Sequence, residues 1–423
     1  MVSMNVKHPS FEMRCRIKEL QRKKQKILEQ EEACWRLKSR VTWLREGDKN
    51  TIFLHKYASA RRSNNSIWKL KDENGDFLYA HQDITKEAVR FFENQYKKSE
   101  NCRIQDILWG IELFPQMFDE ELNEKKIQPI SQEELLASMK SFKRDKSPGP
   151  NGWTIEFLIH FFDLIKGDLL RMVEATRMSG NINNKISSTL IALIPKNNDV
   201  VSLQDYRPIS LCNISFKIVS KIIAERIKGT LSEFISKDQH AFLRGRNILD
   251  AVASTQEGLF SIHSRKSEDI IFKIDLRKAY DCLDWSFIRC LLAKIGLRPN
   301  MINWVMACIE GVNYVIIING IPSSFFPAAR GLRQECPLSP LIFILAMNTL
   351  SLHINNVVAK KRSCPLKICR NISISHNLFV DDIILFGMLC RFTWTCFYDI
   401  LRNFQKASSL QINKEKSIFY HNE

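Results

Sequence analysis

The chain has 423 residues, of which 45% are hydrophobic and 26% are charged. This composition excludes a largely disordered protein and provides enough core for two or three domains. The formal net charge of +16 favours a polyanionic partner, nucleic acid before an anionic membrane.

The sequence predicts neither a membrane span nor a signal peptide nor a zinc site. The longest apolar run, Pro340–Met347, is well short of the roughly 18 residues that a membrane span needs. The amino terminus lacks the apolar centre of a signal peptide. The twelve cysteines form no Cys-x-x-Cys pair, so buried free thiols are expected. We therefore expect an intracellular protein, nuclear or cytoplasmic, with no membrane partner.

Residues 1–125 are predicted to form a basic, mostly helical region. Residues 11–45 contain no Gly or Pro and are rich in charged side chains, which predicts a long helix. Only one heptad seam is apolar, so a solvated helix is favoured over a coiled coil. In segment 40–62, basic residues alternate with rings such as Trp43 and Phe53. This pattern suits contact with nucleic acid, and inward packing of the rings fits equally well.

Shorter elements follow this basic segment. Strands near residues 67–70 and 77–79 flank Glu73-Asn74-Gly75-Asp76, which predicts a hairpin. Residues 84–140 are predicted to be mostly helical, and Ser131 has the spacing of a capping box for a helix ending near Phe142. Dense Pro and Gly predict a basic loop over residues 146–152. The second domain is expected to span residues 126–423.

Two segments carry acids at the ends of apolar runs of strand length. Ile270–Ile274 is followed by Asp275, and two strands are predicted to flank Asp381 and Asp382. Neighbouring side chains of a straight strand point to opposite faces, so a hairpin tip is needed to bring both aspartates to one site. Buried acids need a cationic partner, either Lys, Arg or metal. Three carboxylates from two strand ends suit two Mg²⁺ ions that activate a hydroxyl and stabilise a leaving pyrophosphate.

A set of motifs occurs in one collinear order from about Arg40 to Ser417. The segments are Ser147–Gly152, Leu193–Lys196, Tyr206–Leu211, Gln239–Phe242, Arg244–Arg246, Asp275–Asp281, Gly331–Pro340, Phe379–Asp382 and Leu410–Ser417. In this order they resemble a LINE-type (non-LTR) retrotransposon reverse transcriptase of the sort abundant in plants. The resemblance implies an α+β fold: a right-hand polymerase with palm and fingers, built on an antiparallel palm sheet with packed helices.

The resemblance also implies the metal site and its substrates. Asp275, Asp381 and Asp382 would be the metal ligands, and the main-chain carbonyl of Leu276 could add another. Asp382 would lie closer to the primer terminus. The expected cofactor is a pair of Mg²⁺ ions, with Mn²⁺ as a substitute. The expected partners are an RNA template, a DNA primer and deoxyribonucleoside triphosphates, and the oligomeric state is left open.

Further roles carry over from the same resemblance, each beside an ordinary alternative. Tyr280 would lie under the sugar and exclude a 2′-hydroxyl, or simply pack beneath the strand. Lys196 and Arg207 would hold the triphosphate, or be surface charges. Gln334 would contact the template base or the nucleotide. Lys416 would be the general acid for pyrophosphate, or a surface lysine.

Departures from the family pattern define a second hypothesis. Glu335 stands where the family usually has Gly, and adds bulk and negative charge beside nucleotide phosphates. Val380 replaces a commoner Ala. We expect a truncated element, with no endonuclease before Arg40 and little thumb before Glu423. The alternative function is a catalytically impaired remnant that at most binds RNA or DNA. A palm-fold nucleotidyl cyclase, which also uses two metals, does not account for the motifs.

Overall fold

The computed structural model describes residues 11–39, 51–99, 102–197, 200–265, 267–370 and 372–421. These ranges contain both helices and antiparallel strand pairs, which confirms the predicted α+β class. The chain begins with helices α1 (Phe11–Ser39) and α2 (Thr51–Asn65), which contact each other. The predicted long helix is confirmed as far as Ser39. Residues 40–50, including Trp43, lie outside the described residues.

The predicted hairpin is confirmed by strands β1 (Leu70–Lys71) and β2 (Phe77–Leu78), which pair antiparallel. Four helices follow, α3 (His81–Tyr96), α4 (Ile104–Ile111), α5 (Glu120–Ile127) and α6 (Gln132–Lys140). The Ser131 hydroxyl caps α6 by accepting a hydrogen bond from the Glu134 amide at 3.1 Å. The Glu134 carboxylate instead binds Arg226 at 2.7 Å, so only half of the capping box forms.

The middle of the chain contains a strand pair that is enclosed by helices. Its elements are α7 (Ile155–His160), α8 (Phe162–Ser179), α9 (Asn184–Ser187), β3 (Thr189–Pro195), β4 (Tyr206–Cys212), α10 (Ile214–Phe234) and α11 (Ile248–Arg265). The predicted loop over 146–152 is confirmed. A Cβ on Gly149 would lie 2.4 Å from the backbone of Cys212 and Asn213, so only glycine lets this loop lie against the end of β4.

The remaining elements complete two sheets. They are β5 (Asp269–Ile274), α12 (Ala279–Cys282), α13 (Trp285–Lys294), α14 (Pro299–Ala307), β6 (Asn313–Ile318), β7 (Ile321–Pro322), β8 (Phe326–Pro327), α15 (Ser339–Ala359), β9 (Leu366–Cys369), β10 (Ile372–Ile374), β11 (His376–Phe379), β12 (Asp382–Met388), α16 (Arg391–Ser408) and β13 (Ile418–His421). One sheet has the order β11-β12-β5-β13, all antiparallel. The other has the order β4-β3-β6-β7, with β8 also on β6, and β3 and β6 run parallel.

Helix α15 is the centre of the main hydrophobic core. Fourteen of its residues are buried. By length and composition alone, α15 could cross a membrane. The helix continues past the apolar run with uncharged polar residues such as Asn348 and Thr349. Because 72% of its most apolar window is buried inside the protein, α15 has the surroundings of a core helix.

The domain boundary near residue 125 stays a prediction. Helix α4, which precedes it, packs against α13, α15 and α16, and α3 packs against β6 and α12. Helices α3 and α4 therefore pack against elements that follow the predicted boundary.

Candidate active site

The two acidic segments meet at one edge of the β11-β12-β5-β13 sheet. Strand β12 pairs with β5 so that Ile383 lies opposite Ile274. Phe379 pairs with Asp382, which leaves Val380 and Asp381 as the hairpin tip. Asp275 directly follows Ile274, and Asp382 directly precedes Ile383. The register therefore places Asp275 beside the tip, and the predicted convergence of the three acids is supported.

The hairpin tip depends on a rare backbone conformation. Val380 has φ of 58°, in the left-handed region that β-branched residues seldom adopt. Its amide donates a hydrogen bond to the buried side-chain oxygen of Gln239 at 3.3 Å. The replacement of the commoner Ala by Val380 in the sequence did not reveal this strain. Sequence reasoning also missed Gln239, whose only signal was its place in the Gln239–Phe242 motif.

The carboxylates influence one another electrostatically. Burial raises the pKa of Asp381, and the nearby Asp382 and Asp275 carboxylates raise it further. An acid in this position is stabilised when a cation replaces its proton. A divalent metal at this position would therefore stabilise ionised Asp381.

Each flanking aspartate already has a polar partner. The Asn413 side chain donates to the Asp275 carboxylate at 3.1 Å, and Lys273 Nζ lies 3.7 Å from the Asp382 carboxylate. Within the described ranges, no three His, Cys, Asp or Glu side chains lie close enough together to hold a metal ion. The donor types nevertheless fit Mg²⁺, because carboxylate oxygens are hard ligands and the Asp381 site favours a cation.

The predicted main-chain ligand, Leu276, lies in the same segment. Leu276 forms a bridge with Ile412. The two hydrogen bonds of this bridge run from the Asn413 amide to the Asp275 carbonyl and from the Arg277 amide to the Gln411 carbonyl, both at 2.8 Å. Neither bond uses the Leu276 carbonyl, so its oxygen remains compatible with a ligand role.

Three predicted cations gather near these acids. In the β3-β4 hairpin, Arg207 pairs with Ile194, and Lys196 follows the end of β3. Partial burial lowers the pKa of Lys196, the nearby Lys416 and Arg207 lower it further, and Asp275 acts in the opposite direction. Lys196, Arg207 and Lys416 therefore share one electrostatic neighbourhood with Asp275. Such a cluster attracts a polyphosphate.

A cavity of about 790 Å³ joins the acidic tip to predicted nucleotide contacts. Its lining includes Arg207, Tyr280, Gln334, Glu335 and Asp381. The Tyr280 ring stacks on Phe343 with centroids 4.5 Å apart. Burial raises the pKa of the Tyr280 hydroxyl, and Asp381 raises it further, so the ring stays neutral beside the carboxylates.

A family comparison decides the identity of this site. Residues 194–423, slightly more than half of the chain, match the model of the family "Reverse transcriptase (RNA-dependent DNA polymerase)". The chain belongs to the reverse transcriptase family. The matched range contains all eight of the residues predicted for the site together with the Leu276 carbonyl. The four-stranded sheet with the acidic tip is therefore the palm of this reverse transcriptase.

Two of the curated relatives are proteins of transposable elements. A Xenopus laevis protein, "Transposon TX1 uncharacterized 149 kDa protein", is 26% identical over 82% of this chain and 26% of its own length. The Drosophila melanogaster Pol polyprotein of retrotransposable element R2DM is 26% identical over 68% of this chain and 26% of its own length. An uncharacterized mitochondrial protein of Arabidopsis thaliana is 39% identical over 16% of this chain and 57% of its own length. The reverse transcriptase thus has non-LTR retrotransposon relatives, and spans about a quarter of the first two.

Asp281 is a buried site residue that sequence reasoning missed. Its carboxylate accepts hydrogen bonds from Gln95 at 2.8 Å, Tyr96 at 3.1 Å and Gln334 at 3.4 Å. Burial raises its pKa to about 6, and Lys278 opposes this shift. Asp281 therefore anchors Gln334, a predicted nucleotide contact, to helix α3. Its only sequence signal was its position six residues after Asp275.

A glycine allows the Gln334 segment to reach this anchor. A Cβ on Gly331 would lie 2.5 Å from the Asp281 carbonyl, and its φ is +88°. The Gly331 amide donates to the Leu283 carbonyl at 2.8 Å, and the Leu332 amide donates to the Tyr280 carbonyl at 2.6 Å. The motifs around Tyr280 and Gln334 are thus joined by backbone hydrogen bonds.

Proposed function

We propose that the chain is an RNA-directed DNA polymerase of a non-LTR retroelement, which adds deoxyribonucleotides to a primer 3′-hydroxyl. The observation that carries this proposal is the strand register that brings Asp275 beside the Asp381–Asp382 tip, near a cluster of three cations, with Asp381 on the wall of the cavity. Acids and cations on opposite sides of a reacting phosphate are what nucleotidyl transfer requires.

Within this proposal, Asp275, Asp381 and the Leu276 carbonyl hold two Mg²⁺ or Mn²⁺ ions. When bound, the ions lower the pKa of the primer hydroxyl and neutralise the charge of the leaving pyrophosphate. Asp382 lies on the primer side of this set. These acids also repel any nucleotide that arrives without a cation.

The remaining residues bind and orient the nucleotide. Lys196 and Arg207 hold the triphosphate, and Lys416 donates a proton to the departing pyrophosphate. Tyr280, fixed by Phe343, lies under the sugar and favours deoxyribonucleotides by excluding a 2′-hydroxyl. Gln334, fixed by Asp281, contacts the template base or the incoming nucleotide.

We further propose a plant-like LINE element acting inside the cell, in the nucleus or cytoplasm. The identity of 39% to a short Arabidopsis thaliana segment supports the plant-like assignment. The proposed substrates, an RNA template and deoxyribonucleoside triphosphates, occur inside cells, which supports an intracellular site of action.

Mg²⁺-dependent primer extension tests the proposed function. The wild-type chain is incubated with poly(rA), labelled oligo(dT), dTTP and Mg²⁺, and primer length is followed on a gel. We expect slow elongation that stops when EDTA removes the divalent cation. No elongation by a folded preparation that still binds the RNA–DNA duplex would contradict the proposal. That result would support the impaired remnant that only binds nucleic acid.

The conformation and position of Glu335 favour the second function, an impaired remnant that only binds nucleic acid. The φ of Glu335 is 71°, so an L side chain occupies a left-handed conformation suited to glycine, on the cavity wall beside the proposed triphosphate site. The family resemblance pointed to Gly at this position, and the backbone supplies the physical reason.

Replacing Glu335 with Gly is expected to improve both stability and nucleotide binding. Glycine relieves the strain of the left-handed conformation and adds conformational entropy to the unfolded chain. We expect the first free energy to exceed the second by roughly 1 kcal/mol, which raises Tm by a few degrees. Loss of the negative charge lowers the KM for dTTP several-fold. Glu335→Gln is the matched control, because it removes the charge and keeps the strain. It should lower KM without raising Tm, and equal Tm values for Glu335→Gly and Glu335→Gln would refute the strain.

A further inference from the structure

Three aromatic side chains form an exposed row that begins at the wall of the cavity. Trp153, Phe157 and Phe161 are 47%, 43% and 40% exposed. Their ring centroids follow one another at 4.9 and 4.8 Å, with interplanar angles of 72° and 51°. The rings are therefore tilted along the row, and part of each one faces solvent. Aromatic side chains placed this way provide a series of surfaces on which flat groups can stack.

A basic loop lies beside this aromatic row. Lys143, Arg144 and Lys146 are exposed and precede the row in the chain. The Asp145 amide donates a hydrogen bond to the Glu156 carboxylate at 2.7 Å, which ties the loop to α7. Asp145 and Glu156 offset part of the charge, and the loop keeps three cations on the side of the aromatic row. Cations next to stacking surfaces are the two components of a single-strand nucleic-acid site.

The row is continuous with the proposed catalytic cavity. Trp153, Lys143 and Lys146 line the same 790 Å³ cavity as Tyr280 and Asp381. A strand that leaves the nucleotide site through this opening would meet Trp153 first. It would then pass Phe157 and Phe161.

We propose that the aromatic row binds unpaired template RNA ahead of the growing primer. Bases stack on Phe157 and Phe161 beyond Trp153, and Lys143, Arg144 and Lys146 bind the adjoining phosphates. This inference rests on the proposed polymerase function, because it assigns the strand that enters the same cavity. Stacking requires free base faces, so a single strand fits and a duplex does not. The positive loop makes the complementary ligand an anion.

Binding to templates with different 5′ overhangs tests this surface. One labelled RNA–DNA duplex is made with an overhang of one nucleotide or of about eight, within the usual site size for single strands, and affinity is measured by anisotropy. We expect wild type to bind the long overhang roughly tenfold or more tightly than the short one. Phe157→Ala/Phe161→Ala should lose this gain and keep wild-type affinity for the short overhang.

Matched variants separate stacking from general damage. Phe260, on α11, is 69% exposed and does not line the cavity, so Phe260→Ala should keep the full overhang gain. Phe157→Tyr/Phe161→Tyr retains the rings and should restore the gain that the alanine variant loses. Lys143→Gln/Lys146→Gln should weaken binding of the long overhang and flatten its salt dependence.

Three outcomes would overturn the inference. They are equal wild-type affinity for both overhangs, a full gain in the double alanine variant, and a full gain when a complementary strand pairs the overhang. Equal affinity for both overhangs would indicate that the aromatic row binds a protein partner instead. Extension measured on the same complexes separates the two proposals. Primer extension without a gain in affinity from the long overhang would refute only the proposed template surface. A gain in affinity without primer extension would refute only the proposed polymerase function.

Discussion

Asp381→Asn is expected to lower the rate of primer extension on the order of 10³-fold or more, equivalent to about 4 kcal/mol of transition-state stabilisation. The amide keeps the size of the side chain and removes the charge that would hold the metal pair. The reaction depends on positioning and charge neutralisation, so no other group substitutes for this one. Extension is measured in single turnover on poly(rA)/oligo(dT), which excludes effects on product release.

The same substitution should leave the protein equally or more stable without metal. The folded-state pKa of Asp381 is raised, so its ionised form destabilises the fold at any pH above that value. Asparagine removes this penalty, and the gain in Tm should disappear as the pH falls and the wild-type carboxyl is protonated. Opposite changes in activity and stability distinguish a functional acid from a structural one.

Two controls make this result decisive. Asp269 begins β5, the strand that leads to Asp275, and lies opposite Met388 at the end away from the site, so Asp269→Asn should retain wild-type extension. Addition of Mg²⁺ should raise the Tm of wild type and have a smaller effect on Asp381→Asn, because a ligand stabilises only the state that binds it. Near-normal extension by Asp381→Asn would remove the central element of the proposed site.

The strands that carry the acids could be predicted because their signals are local. An apolar run of strand length ends at Asp275, and a turn is the simplest way to place Asp381 and Asp382 in one site. The register Ile383 to Ile274 then follows from pairing these two apolar strands. The collinear motifs supplied the predicted nucleotide-binding residues. In the structure these residues lie in the cavity or in the cation cluster near the acids.

What could not be predicted depends on contacts between distant segments. Asp281 meets Tyr96 across 185 positions of the chain, and Val380 meets Gln239 across 141. No periodicity or spacing reports such pairs. The left-handed backbone at Val380 was also hidden, because sequence pattern reveals positive φ mainly where glycine occurs, as the family's Gly did for position 335. In both cases tertiary packing, not local preference, determines the conformation.

Asp281→Asn is the second substitution with a large expected effect. Asparagine has one acceptor oxygen where the carboxylate accepts three hydrogen bonds, and its amide group would face donors from Tyr96, Gln95 or Gln334. Lys278, mostly buried, would lose its neighbouring charge. We expect about 3 kcal/mol of lost stability from breaking this buried set, measured by urea unfolding at neutral pH.

The pH dependence of this loss has a defined sign. Between the unfolded value of 3.8 and the folded value of about 6, folded Asp281 binds more protons than the unfolded chain does. Wild-type stability from this group therefore falls as pH rises through that window, by roughly 3 kcal/mol in total. The variant lacks this term, so the difference in unfolding free energy between wild type and Asp281→Asn should narrow from pH 4 to pH 7. A constant difference would contradict the raised pKa.

Kinetics decide whether Asp281 acts through Gln334 or only supports the fold. If it positions Gln334, Asp281→Asn should raise the KM for dTTP more than it lowers kcat. The effect should be small in a Gln334→Ala background, because two residues acting through one contact are not additive. Tyr96→Phe is the matched control, since it removes one donor to Asp281 and leaves the bond to Gln334. Fully additive KM effects would mean that helix α3 stabilises the palm without positioning the nucleotide contact.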